Sequence, residues 1–151
     1  MVEGPTGTPY EGGLFFFDCQ LPSGYPMSPP RVQYISYVSD KLNPNLYEEG
    51  KVCLSLLGTW DGRGSELWTR ESNLLQLLVS IQGLILNKEP YYNEAGYERQ
   101  RGERLAAENS RKYNEMAAVK VVLAMGQLTS RELPSVFAED ITVFLQKHGW
   151  K

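Results

Sequence analysis

The chain has 151 residues, a net charge of −3, 42% hydrophobic and 22% charged residues, which suits one domain with a real core. No apolar run approaches the roughly 20 residues that span a bilayer, and Met1-Val2-Glu3-Gly4-Pro5 lacks the basic and apolar regions of a signal peptide. A mildly acidic chain without a basic block argues against nucleic acid as a partner. Cys19 and Cys53 form no CxxC, and His148 is the single histidine, so neither a metal site nor any other cofactor is expected. One disulfide stays open on sequence grounds; free thiols in a cytoplasmic or nuclear chain are the favoured reading.

Residues 1–13 are dense in glycine and proline and read as turns. Leu14 to Leu21 alternates as a strand with Phe15, Phe17, Cys19 and Leu21 on one face, which puts Cys19 inside as a structural residue. Residues 22–30 hold four prolines, which forbid helix and central strand and suggest a stiff, polyproline-like loop with Met27 as an apolar tip. That loop is either a plain connection or a shelf for a partner. Arg31 to Val38 is a second strand whose pattern slips between Tyr34 and Ile35, as a bulge would make it.

Asn43 to Leu57 then joins two turns to a thiol. Asn43-Pro44 is a stiff turn, Asn45 offers an amide, and Gly50 can take positive φ in the Glu48-Glu49-Gly50 turn. Cys53 follows among Val52, Leu54 and Leu56. A cysteine in such a run reads first as a small buried hydrophobe. A rigid turn carrying an amide beside it also suits a nucleophile with a polar stabiliser. Trp60 and Trp68 frame a glycine-rich loop and read as its pins. Ser72 to Asn87 is a helix capped near Asn73, with Leu74, Leu78, Ile81 and Ile85 as one stripe. Leu75 and Val79 widen the stripe so far that the helix should be wholly buried. A second helix runs from about Glu103 to Gln127, burying Tyr113, Ala117, Val121, Ala124 and Leu128, with Lys120 on its solvated side. A last one starts near Pro134. Strands, site and then helices point to an α+β fold with an antiparallel meander.

Several motifs now combine. Gly7-Thr8-Pro9-Tyr10-Glu11-Gly12-Gly13, Tyr25-Pro26-x-x-Pro29-Pro30, Pro44-Asn45 and Cys53 eight residues beyond Asn45 resemble, in order and spacing, the ubiquitin-conjugating (E2) family. Asn87-x-Glu89-Pro90-Tyr91-Tyr92-Asn93-Glu94-Ala95-Gly96 and Tyr113-Asn114-Glu115-Met116-Ala117 resemble the large E2/E3 hybrid type, with the giant inhibitor-of-apoptosis E2 as the nearest alternative. The resemblance implies a ubiquitin-conjugating (UBC) core over 1–130, a helical extension over 131–151, and a meander packed on a central helix. It also implies that the family's N-terminal helix is missing and that the chain is a fragment of a longer polypeptide. By the same resemblance, Cys53 takes ubiquitin from an activating enzyme (E1), which is where ATP is used, and passes it to lysines of substrate proteins. Asn45 stabilises the oxyanion or supports the loop. Asn93 and Glu94 gate the thioester or help position or deprotonate the lysine. Pro26 and Met27 meet ligases (E3), and the hybrid type implies a ligase activity of its own. No membrane partner is implied.

Three departures stand out. Asn43 replaces the family's histidine, where an amide can still cap the turn. Ser55 replaces an aspartate, and residues 62–68 look like an insertion. The alternatives are a catalytically silent ubiquitin-binding or scaffolding module, and a cysteine hydrolase. The second is disfavoured because His148 has no candidate orienting acid.

Overall fold

The computed structural model describes residues 1–129 and, beyond them, 142–143 and 146–147. Strands β1 (Val2–Glu3), β2 (Leu14–Gln20) and β3 (Arg31–Ile35) form an antiparallel meander in that order. Phe17 lies opposite Tyr34, and Cys19 opposite Val32. The β2–β3 ladder is regular from Gln20–Arg31 to Phe16–Ile35. The expected bulge at Tyr34 is therefore absent: β3 simply ends at Ile35, and Ser36 turns the chain by donating its hydroxyl to Val38 O.

Helix α1 (Leu74–Ser80) is capped by Asn73, whose Oδ1 accepts from Gln76 N. That bond satisfies one of the donors a helix start leaves open. The helix does not run on as α to Asn87. It widens into a π turn over Ile81–Ile85, where Leu86 N donates to Ile81 O. Helix α2 spans Arg104–Thr129 and buries Ala117, Val121, Ala124 and Leu128, with Tyr113 packed at the margin. The helix expected from Pro134, and with it the extension over 131–151, lies outside the described residues. Among the described residues no helix is long and apolar enough to cross a membrane.

The core joins Phe15 and Tyr34 of the sheet to Leu77 of α1, Ile81 and Ile85 of the π turn that continues it, and Val121 of α2. Four expectations need correction. Cys19 is exposed, because β2 runs past the edge of the core after Phe17. Leu75 and Val79 are 70% and 58% exposed, while Leu77 is fully buried. The buried stripe is thus Leu77–Ile81–Ile85, one position round from the expected start, and the opposite face of α1 is open. The proline-rich loop is not polyproline-like. It is folded by turns that close Tyr25 N on Pro22 O and Ser28 N on Gly24 O. Lys120 is only 13% exposed and is held by Asp40 Oδ2 at 2.6 Å and Lys41 O at 2.8 Å.

Candidate active site

The two turns predicted around Asn45 both form, and both bear on Cys53. Asn43 is fully buried. Its Oδ1 accepts from Asn45 N at 2.7 Å, and its Nδ2 donates to Tyr10 Oη at 2.7 Å and to Ile85 O at 2.8 Å. Leu46 N closes the turn on Asn43 O. The Asn43 amide therefore builds the turn and ties it both to the Gly-Pro-rich entry segment and to the end of the central helix. The burial that satisfies Asn43 also keeps Tyr10 neutral, because loss of solvent pushes its phenol well above the usual range. At the other end Gly50 adopts φ +97° and donates to Tyr47 O. A Cβ there would sit 2.5 Å from Gln33 Cγ, so only glycine fits.

Between these turns Asn45 and Cys53 face each other across a short antiparallel pairing. Cys53 N donates to Asn45 O at 2.9 Å, and Asn45 Nδ2 donates back to Cys53 O at 3.0 Å. One Nδ2 hydrogen is engaged in this way. The buried Oδ1 has no partner among the described groups. Cys53 is 2% exposed. It lies in the wall of a cleft of about 560 Å³, together with Asn45, Ser55, Trp60, Glu66, Asn93 and Glu98.

The cleft's walls are held by unused carbonyls at the end of the central helix. The last carbonyls of a helix lack intrahelical donors. Leu84 O accepts from Asn87 Nδ2 and Asn93 Nδ2, and Ile85 O from Asn43 Nδ2 and Asn93 Nδ2. Asn93 Oδ1 accepts in turn from Asn87 Nδ2. Three asparagines thus lock the turn before the thiol and the Pro90–Asn93 turn after it onto one helix end. Asn93, expected to gate the thioester or help position the lysine, lines the cleft, and its amide is spent on this latch.

Glu94 is not brought into the cleft. Its carboxylate turns to Lys41 Nζ at 3.6 Å, and it is not among the lining residues. Pro26 and Met27 are not among the residues that line the cleft, and Met27 is 69% exposed. Trp68, expected to pin the glycine-rich loop it frames, ties that loop to the proline-rich one through Nε1 to Pro26 O at 2.8 Å, whereas Trp60 lines the cleft. Ser55 Oγ donates to Asp61 O at 2.6 Å and so anchors the loop that begins at Gly58. Glu66 returns its Oε2 to Arg63 N at 2.8 Å within the same loop.

Tyr10, Glu66 and Glu98 were not singled out from the sequence. Tyr10 stood in a glycine-rich turn with no periodicity to mark it as buried, and Glu98 follows a glycine loop that nothing local connects to Cys53. Among the described residues no cluster of three metal-ligating side chains exists.

A thiol in the wall of a cleft, registered against an asparagine, is an arrangement that can take up an acyl group. The family model for ubiquitin-conjugating enzyme matches residues 1–121. The chain is 51% identical over 151 residues to a probable ubiquitin-conjugating enzyme E2 23 of Arabidopsis thaliana, covering 99% of this chain and 14% of that protein. It is 45% identical over 152 residues to a probable ubiquitin-conjugating enzyme protein 17 of Caenorhabditis elegans, covering 99% and 20%. It is 50% identical over 117 residues to the human dual E2 ubiquitin-conjugating enzyme/E3 ubiquitin-protein ligase BIRC6, covering 76% and 2%. The chain belongs to the ubiquitin-conjugating enzyme family, and it spans a fifth or less of these three relatives.

Proposed function

We propose that Cys53 carries ubiquitin as a thioester and hands it to lysine amines. The single observation behind this is the Asn45–Cys53 pairing, which holds a free thiol in the wall of an accessible cleft beside an amide. Loading exchanges one thioester for another. The Cys53 thiolate attacks the carbonyl carbon of the thioester on the activating enzyme, the new C–S bond forms, and the old thiolate leaves. Discharge exchanges the thioester for an amide and is downhill. Its barriers are the proton on the amine and the charge on the oxyanion. We assign the second Nδ2 hydrogen of Asn45 to that oxyanion, while its first hydrogen keeps the loop in register.

Ubiquitin, an activating enzyme and substrate proteins are the partners this reading requires, and the exposed Pro26–Met27 loop is the surface we assign to a ligase. A ligase activity of the chain's own, which the hybrid resemblance suggests, and a cytoplasmic or nuclear location belong to the same proposal. The test is incubation with activating enzyme, ATP and ubiquitin, read on a non-reducing gel. A thiol-labile adduct is expected with the wild-type chain, a thiol-resistant oxyester with Cys53→Ser, and no adduct with Cys53→Ala. Absence of the wild-type adduct would refute the reading.

A further inference from the structure

The lysine that discharges a thioester arrives as an ammonium ion, and a carboxylate in the cleft that is not committed elsewhere can take its proton. The position where relatives carry an acid holds Ser55, whose hydroxyl is bonded to Asp61 O. Glu94 is paired with Lys41. Two carboxylates line the Cys53 cleft, Glu66 and Glu98, and Glu66 is engaged with Arg63 N. The carboxylate of Glu98 has only a loose contact, 3.8 Å to Nε of the exposed Arg99.

The backbone around Glu98 is braced on both sides. The Tyr97 ring lies 4.8 Å from that of Tyr91, which itself packs on Tyr92 at 5.2 Å and Tyr113 at 6.4 Å. Arg101 is paired with Glu89 and lies over the Tyr92 ring at 4.2 Å. Arg101 N closes the turn on Glu98 O. A carboxylate carried on a turn fixed at both ends is oriented before the substrate arrives, which is where catalytic groups gain most.

We propose that Glu98 is the residue that receives the incoming lysine, accepting a hydrogen bond from its ammonium group and then a proton as the nitrogen attacks. This rests on the reading of Cys53 as the thioester carrier. In the balanced step the C–N bond forms and the C–S bond breaks. The nitrogen gives up two protons, one passing through Glu98 to solvent and the other ending on the Cys53 sulfur. Ubiquitin is thereby directed to cationic amines.

The test is single-turnover discharge of the ubiquitin-loaded chain to free lysine and to hydroxylamine, a nucleophile that is neutral at pH 7. Glu98→Gln should load like wild type and discharge to lysine about 100-fold more slowly at pH 7, the lower end of what a general base supplies. Its hydroxylamine rate should be unchanged. The lysine deficit should shrink as pH rises toward lysine's own pKa of about 10.4, because solvent then supplies the free amine. Glu98→Asp should restore part of the lysine rate. Normal loading with an unchanged lysine rate would overturn the proposal, as would an equal loss toward both nucleophiles at every pH, which is what a purely structural role produces. If wild type forms no thiol-labile adduct before any acceptor is added, the thioester reading itself falls and this proposal falls with it.

Discussion

Replacing Asn43 by alanine tests the latch that sets the active-site turn. The substitution removes three buried hydrogen bonds, to Tyr10 Oη, Ile85 O and Asn45 N. Each such bond contributes about 0.5–1.5 kcal/mol net, and more where a partner is left buried and unsatisfied. Ile85 O keeps its bond from Asn93, but Asn45 N–H and the Tyr10 hydroxyl do not have such a substitute among these bonds. The sum is about 3–4 kcal/mol, a fall in Tm of about 10 °C for a chain of this size. Tyr10→Phe removes one bond and leaves Asn43 Nδ2 with its carbonyl partner, so it should cost about 1 kcal/mol. The double variant should then be destabilised by about 1 kcal/mol less than the sum of the singles, since both remove the same interaction. Urea unfolding of the four chains measures all three values. A cost below about 1 kcal/mol for Asn43→Ala, or strict additivity in the cycle, would refute the claim that this amide organises the turn.

Gly62→Ala would place a Cβ 2.5 Å from Ser55 Cβ and 2.9 Å from its Oγ. The loop holding Trp60 and Glu66 must shift, so a loss of about 1–3 kcal/mol in thermal unfolding is expected, with a change in tryptophan emission; an unaltered melting curve contradicts the packing described. Alkaline titration gives a second check. Burial raises the Tyr34 phenol to about 12, and Tyr10 lies well above its usual value for the same first cause. A group whose folded pKa is raised contributes stability that is complete below its unfolded value, about 10, and is lost as pH climbs through the folded value. The chain should therefore be near full stability at pH 9 and lose it between about 10 and 12. Circular dichroism followed alongside tyrosinate absorbance should show these two tyrosines ionising with unfolding; their ionisation in the folded chain near 10 would contradict it.

Where the sequence was legible, it was so through local physics. The proline at 44 and the glycine at 50 dictate their turns whatever surrounds them, and the period-two run from Leu14 marks a strand directly. Its reach failed where depth depends on neighbours. Cys19 has the right phase to be inside, but the core ends before it. Leu75 and Val79 are as apolar as Leu77, and only the placement of the sheet and α2 decides which of them is covered. The site divides in the same way. The pairing of Asn45 with Cys53 was legible because the turn between them is short. Glu98 and Tyr10 join the site across 45 and 33 positions of chain from Cys53 and Asn43 respectively, and such pairings have no local signature. Glu94 was the reverse case, near in sequence to the cleft-lining Asn93 yet drawn away by Lys41.

The central claim is that the thiol registered against Asn45, and not the exposed one at the end of β2, carries ubiquitin. Peptide mapping by tandem mass spectrometry of the chain loaded by activating enzyme, ATP and ubiquitin, kept under non-reducing acidic conditions, tests it most directly. The account predicts the ubiquitin C-terminal remnant on the Cys53 sulfur, with Cys19 recovered as a free thiol. A remnant on Cys19, or on a lysine with Cys53 unmodified throughout the time course, would contradict it.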